Sequence, residues 1–421
     1  MNIKNKCHIP HIGIFGKRNV GKSSFINALS DQKVSIVSKH AGTTTDPVKK
    51  QIELGQCGAI VLIDTAGIDD YGEVGNLRVL ASKKVIEMID LAIIVIANNN
   101  FDNHEREVVA LLSEHNTPFI IIHNKADICK ISSDLRQQML AQYKLDDLEI
   151  YDFDSIKGFD YNNSNKAELI NVIHKALPKS TFNNPTIIGD LINAGDVVLL
   201  VTPIDLEAPK GRMILPQMQT LRDALDNNCI VVTLKESELA LFFKKCNASS
   251  GDQLLPKLVV TDSQAFAKVD AIVPKDIALT SFSILYARLK GDFDTFIKGT
   301  FAISNLKEKQ NVLIMESCSH HVIGDDIARI KIPKWIDKFT GKKINYEVVA
   351  SFDEPSKPFT DYSLLIQCGG CMFTRKQILN RMLAANKYKI PITNYGMTIA
   401  YTQGIFERAI SPFKYSKLAS Q

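Results

Sequence analysis

The sequence predicts an α/β protein in three parts, with an N-terminal nucleotide-binding domain followed by two further α/β domains built on largely parallel sheets. Short apolar runs alternate with helical stretches along the whole chain, the pattern of a sheet wound between helices. Polar clusters follow directly on several of these runs, where an open α/β sheet places its ligands. At 421 residues the chain is also too long for a single ordinary core.

Composition narrows the class. Hydrophobic residues make up 45% and charged residues 23% of the chain, the balance of a folded globular protein. The net charge of +4, from 50 basic and 46 acidic residues, is too small to argue for a nucleic-acid partner. The longest apolar runs, such as Leu91 to Ala97, fall far short of the roughly 20 residues that cross a bilayer. The opening MNIKNKCHIP lacks the continuous apolar stretch of a signal peptide. A cytoplasmic protein with neither a membrane nor a nucleic-acid partner is expected.

Ile12 to Phe15, Ala59 to Ile63, Leu91 to Ala97 and Phe119 to Ile122 read as buried strands. After the first comes Gly16-Lys17-Arg18-Asn19-Val20-Gly21-Lys22-Ser23, followed by Ser24, which fits the phosphate-loop pattern G-x-x-x-x-G-K-S. Glycines let backbone N–H groups curl around phosphate, and the following helix offers its positive N-terminus. Lys22 is expected to reach the β and γ phosphates, and Ser23 to bind Mg²⁺. Asp64-Thr65-Ala66-Gly67 ends the second strong strand, so that Asp64 can hold the Mg²⁺ shell and Gly67 N–H can meet the γ-phosphate. Asn124-Lys125-Ala126-Asp127 follows Phe119 to Ile122, and the Asp127 carboxylate can accept from guanine N1 and N2, donors that adenine lacks. Within Gly42-Thr43-Thr44-Thr45-Asp46-Pro47, Thr44 completes the metal shell only when a γ-phosphate is present. Ser155-Ile156-Lys157 follows another strand-like run and reads as the base-capping loop, with Ser155 and Lys157 at its ends. The motifs, in this order, predict a P-loop GTPase domain over residues 1–178, with Lys22, Thr44 and Gly67 acting in hydrolysis.

The Gly-Thr-Thr-Thr-Asp-Pro run and the loop Asn19 to Ser24 resemble the bacterial Era, EngA and TrmE group. As in that group, the residue after the D-x-x-G glycine is hydrophobic, here Ile68, which cannot orient a water. The resemblance implies a potassium ion in place of an arginine finger, held partly by Asn19, and slow hydrolysis that K⁺ accelerates more than Na⁺.

Lys166 to Leu177 reads as the closing helix, and Pro178 to Pro185 as a linker. A second α/β unit, residues 186–263, shows strands at Asp196–Val201, Cys229–Thr233 and Leu258–Thr261 around a helix Gln217–Asp226. Asp205, Glu207, Lys210 and Arg212 read as a solvated loop, not an acid–base cluster.

In residues 264–421, Asn311–Glu316 and Tyr362–Gln367 read as strands that end at Ser317-Cys318-Ser319-His320-His321 and Cys368-Gly369-Gly370-Cys371. Parallel neighbouring strands would bring these clusters together. Cys7, Cys57, Cys129, Cys229 and Cys246 are scattered singly and read as core or surface residues. Cys318, His320, Cys368 and Cys371 suit a closed Cys₃His zinc site, or three thiolates could hold a [4Fe–4S] cluster with one iron open; spacing does not separate the two.

The pairing of Cys-Ser-His with a distant Cys-Gly-Gly-Cys behind such a GTPase domain resembles the HydF family of [FeFe]-hydrogenase maturation GTPases, over nearly the whole chain. The resemblance implies a dimerisation domain, a [4Fe–4S] cluster and a homodimeric scaffold. That scaffold would carry the di-iron precursor made with the radical-SAM maturases HydE and HydG to the apo-hydrogenase HydA. The family commonly has histidine before the first cysteine of the C-x-x-C, where this chain has Gln367, a poor iron ligand. The fourth position then falls to His320, His321, Asp325, Asp326, water or the incoming precursor. The competing class is an RNA- or ribosome-associated GTPase, but the basic run Lys331 to Lys343 carries Ile332, Trp335, Ile336 and Phe339 at helical spacing and reads as an amphipathic helix.

Overall fold

β-branched and leucine-rich runs become the strands of three sheets in the computed structural model, which describes residues 9–30, 48–65, 75–145, 149–155, 164–178, 186–203, 213–248, 254–317, 326–350 and 353–416. The chain divides into two compact units, His8–Asn184 and Pro185–Gln421.

The first unit runs β1 (His11–Phe15), α1 (Lys22–Leu29), β2 (Val48–Leu54), β3 (Gly58–Asp64), α2 (Gly75–Met88), β4 (Leu91–Ala97), α3 (Asn103–Glu114), β5 (Phe119–Asn124), α4 (Ser133–Tyr143), β6 (Ile150–Phe153) and α5 (Ser164–Ala176). Its sheet has the order β2-β3-β1-β4-β5-β6, parallel throughout except for the antiparallel pair β2–β3. All seven residues of β4 are buried, as its unbroken apolar run requires of a central strand. β2 was not foreseen: Lys49, Lys50, Gln51 and Glu53 give it the charged character of a protected edge. Phe25, Ile26 and Leu29 of α1 pack on Ile12, Ile14 and Val95, and Phe25 meets Phe153 edge-to-face at 5.3 Å.

The second unit begins with β7 (Val197–Val201), α6 (Leu215–Asp226), β8 (Ile230–Leu234), α7 (Leu239–Ala248), β9 (Leu258–Thr261), α8 (Phe266–Ile272), β10 (Ala278–Ser281) and α9 (Phe282–Lys290). These strands form an all-parallel sheet ordered β10-β9-β7-β8. It continues through α10 (Phe293–Thr300), β11 (Asn311–Met315), α11 (Ile332–Thr340), β12 (Asn345–Val349), β13 (Tyr362–Gln367), α12 (Arg375–Lys387), β14 (Ile392–Asn394), α13 (Tyr395–Thr402) and α14 (Phe406–Ser416). The third sheet, ordered β12-β11-β13-β14, is also all-parallel. α11 is the amphipathic helix expected there, with Ile332 and Ile336 buried.

Alternation along β11 and β13 decides how the sheets pack. Leu313, Met315 and Leu365 face a core shared with Val198, Leu200, Val260 and Leu279 of the preceding sheet. Val312, Ile314, Leu364 and Ile366 face a separate core with Ile332, Ile336 and Ile399. The second and third sheets are thus joined through one continuous apolar layer. The register pairs Met315 with Gln367, so β11 and β13 end side by side.

A Cβ on Gly299, in α10, would lie 1.9 Å from the backbone carbonyl oxygen of Ile392 in β14. We expect Gly299→Ala to destabilise this unit by at least about 2 kcal/mol through overpacking. An unchanged denaturation midpoint would show that the helix and strand separate without cost.

Candidate functional site

Two carboxyl-edge sites emerge, one in each unit. In the first, β1 delivers the chain into the turn Gly16–Gly21 and α1 begins at Lys22. Among the described residues no side chain caps α1 and its first turn carries no acid, a helix start suited to an anion. Lys22 is buried, and its Nζ donates to the carbonyls of Gly16, at 2.5 Å, and Lys17, at 2.9 Å, holding the cation at the loop mouth. Arg18, Asn19, Gly21, Lys22, Ser23, Ser24 and Lys125 line a cavity of about 500 Å³. The cationic side chains among them, with no acid among the described lining residues, suit a polyphosphate.

The phosphate loop and the base-reading loop are tied to each other. Asn124, at the end of β5, donates from Nδ2 to the carbonyl of Val20 at 2.9 Å. Its Oδ1 accepts from Ser155 N–H at 3.2 Å and Ser155 Oγ at 2.8 Å. Gly21 carries φ of +95°, and a Cβ there would sit 2.2 Å from Asn124 Nδ2, so only glycine permits this approach. β3 sets Asp64 opposite Ile14 of β1, beside the start of the loop, and Thr65 Oγ1 donates to Ile14 O at 2.5 Å. Asp127 is exposed just beyond Lys125, which has φ of +60°. Thr44, Gly67 and Lys157 lie outside the described residues.

Two braces escaped sequence reasoning. Lys17 pairs with Asp102, the N-cap of α3, and that bond holds the Asp102 carboxyl below its usual range. His123, fully buried in β5, has Nδ1 2.8 Å from Asp152 and accepts at Nε2 from Asn99 N–H. The imidazole lies inside a strand pattern that reads as apolar filling, so only the fold exposes its partners.

At the second site, the β11–β13 register brings Ser317 to Cys368, with the hydroxyl 2.9 Å from the sulfur. Cys318 follows Ser317 by one peptide bond; it lies outside the described residues, as do His320, His321 and Asp325. Cys368 and Cys371 are half-buried thiols outside any disulfide, bracketing Gly370, whose φ of +66° closes the turn. Burial pushes the Cys368 thiol up despite bonds from Ser317 and the Gly370 N–H. A soft metal reverses that penalty, since a coordinating thiol is deprotonated outright. Nearby, the Tyr395 hydroxyl is buried without a hydrogen-bond partner among the described residues; burial first, and then Cys368 and Glu316, raise its pKa well above normal. This donor chemistry fits a thiolate-held centre. Among the described residues no group of three metal-binding side chains converges.

Gln367 is not free to ligate. Its Oε1 accepts from Arg381 at 2.8 Å and its Nε2 donates to Ser317 Oγ at 3.2 Å. Arg381 also donates to Glu316 O and stacks 4.5 Å over the Phe373 ring. Asp326, one of the expected fourth ligands, is buried and caps the turn into α11 by accepting from Arg329 N–H at 2.7 Å.

Comparison with known proteins follows this division. A model of the hydrogen maturase F dimerization domain matches residues 187–291, and one of its tetramerization domain matches 294–412. A model described as 50S ribosome-binding GTPase matches 11–125. GTPase Der of Campylobacter jejuni is 35% identical over 139 residues, 32% of this chain and 30% of that protein. The tRNA modification GTPase MnmE of Mycoplasma mycoides is 38% identical over 132 residues, 31% of this chain and 28% of that one. The chain thus spans about three tenths of the length of these curated relatives. A solved structure of Aquifex aeolicus Era bound to GDP.AlF4- aligns at 21% identity over 54% of this chain and 94% of that chain, with a TM-score of 0.33. Among the described residues no helix is long and apolar enough to cross a membrane.

Removing the Asn124 brace unties both nucleotide loops at once. Asn124→Ala is expected to weaken GTP binding at least about tenfold in a fluorescent-nucleotide titration, with the far-UV spectrum unchanged. Wild-type affinity would mean that the loops hold their positions without it.

Proposed function

Because this chain belongs to the HydF family of hydrogen maturases, we propose that it is an [FeFe]-hydrogenase maturation GTPase, a homodimeric scaffold that holds a [4Fe–4S] cluster and hands a di-iron precursor to apo-hydrogenase. The observation that carries the metal half is the Ser317–Cys368 contact of 2.9 Å, which joins the ends of β11 and β13. In this reading Cys318, Cys368 and Cys371 supply three thiolates. The cluster, when bound, supplies an anionic iron–sulfur centre with an exchangeable iron position. The precursor is cargo built with HydE and HydG and delivered to HydA.

GTP and Mg²⁺ occupy the first site. Lys22 neutralises the β and γ phosphates, Ser23, Thr44 and Asp64 furnish the metal shell, and Gly67 N–H meets the γ-phosphate. Lys125 and Asp127 take the base, with Ser155 and Lys157 capping it. Asn19 holds a K⁺ ion that substitutes for an arginine finger. Nucleotide state biases partner exchange, since a switch acts only through a difference in affinity between its states.

Iron, sulfide and zinc content with EPR, after anaerobic reconstitution and reduction, tests the reading. About four irons and four sulfides per chain are expected, with a reduced-cluster signal that Cys368→Ser/Cys371→Ser abolishes. Stoichiometric zinc without a stable iron cluster would leave a structural metal and favour an RNA-associated GTPase. Hydrolysis measured in matched chloride salts should run faster with K⁺ than with Na⁺; equal rates would remove the potassium ion from the mechanism.

A further inference from the structure

The cysteine loop is gripped by a side chain from the preceding sheet. α9 closes that sheet's connectivity, and its last residue, Lys290, is buried beneath the loop. The Lys290 Nζ donates to the carbonyls of Gly370 at 2.7 Å, Cys371 at 3.1 Å and Phe373 at 2.7 Å. Three acceptors match the three donors of an ammonium group; a neutral amine would turn its lone pair on a carbonyl. The group also lies 4.9 Å from the centre of the Tyr286 ring, a contact that favours the cation. A second tie runs the other way, from Arg375 Nη1 to Leu289 O at 2.7 Å. At the opposite end of α9, Ser283 accepts from Gly396 N–H and donates to Asn394, which bonds the carbonyl of Gln367.

We propose that Lys290 is the positioning residue of the Cys368–Cys371 loop, fixing its carbonyls so that both sulfurs face one centre and lending that centre a buried positive charge. The electrostatic part rests on the cluster reading above; the clamp does not. Removing a nearby cation destabilises the more negative, reduced form of a thiolate-bound cluster, so the potential moves down. Lysine and arginine separate the two parts. Arginine keeps the charge, but its planar fork cannot aim three donors at three converging carbonyls.

The test uses the full-length chain with Lys290→Met and Lys290→Arg, each checked by circular dichroism. In apo-protein, alkylation of Cys368 and Cys371 is timed by mass spectrometry. Both variants should change the rate for Cys371 at least about tenfold, the factor that 1.4 kcal/mol makes. In reconstituted protein, Lys290→Met should lower the midpoint potential of the EPR signal while Lys290→Arg stays near wild type. Unchanged alkylation in both variants overturns the clamp, whether or not a cluster binds. An unchanged potential in Lys290→Met overturns the charge contribution. A wild-type chain that holds no iron defeats the cluster reading, and with it the charge contribution, and leaves the alkylation rates to decide the clamp. Should Lys290→Met fail to fold, Lys290→Arg decides the clamp by alkylation, and a potential near wild type supports the charge contribution while a lowered one overturns it.

Discussion

Parallel strand pairing is the constraint on which both sites depend. In a parallel pair the carboxyl ends of two strands lie together even when dozens of residues separate them. β11 and β13 end at Met315 and Gln367, paired in register, and the residues that follow, Ser317 and Cys368, meet at 2.9 Å. A slip of one residue would turn Gln367 to the opposite face and carry Leu365 and Ile366 out of their separate cores, so the packing that stabilises the sheet also sets the site. In the first unit, the same rule brings β1, β3, β5 and β6 to a common edge, where Gly16, Asp64, Asn124 and Ser155 follow or end them.

Alignment of strand ends leaves the loops themselves to be ordered, and each unit does this with one buried polar hub. Asn124 uses both ends of its amide, donating to Val20 and accepting twice from Ser155. Gln367 spends its amide on Arg381 and Ser317. Both amides are almost completely buried, where an unmet donor or acceptor costs about 1–3 kcal/mol, so each hub resists displacement of the loops it joins. Gln367 thus has a structural role that a ligand at the same position would not need. Its amide works as a structural crosspiece between strand end, arginine and serine.

Much of this was legible in the sequence because it depends on local chemistry. The phosphate loop, the Asn124–Asp127 and Asp64–Thr65 motifs and the strands Leu91–Ala97, Leu258–Thr261 and Tyr362–Gln367 carry strong signals of glycine, charge or unbroken apolarity. β2, β10, β12 and β14 were missed because each is short, polar or half-exposed, and takes its strand form from a neighbour's free edge instead of its own pattern. Long-range polar partners left no trace. Nothing near Lys290 marks it as different from other lysines at a helix end, where a cation is favoured anyway; its carbonyl partners lie 80 or more positions away.

Lys290 also connects the cysteine loop to a surface of different character. The ring beneath it, Tyr286, donates its hydroxyl to Gln219 of α6. That helix leaves Leu215, Met218 and Leu225 exposed, and Ile230 of the neighbouring edge strand β8 is half-exposed as well. Apolar groups in such a patch are stable in water only at a cost that a second surface removes. A chain of side chains therefore runs from an exposed apolar face through Gln219, Tyr286 and Lys290 to the carbonyls of Gly370, Cys371 and Phe373. Its polar links are bonded and its ring is buried, so it has the character of a strut. A strut transmits a displacement only if one of its ends has two positions. The end at α6 is exposed and the end at the loop is held by three carbonyls, so the strut fixes the loop against the helix that carries the apolar face.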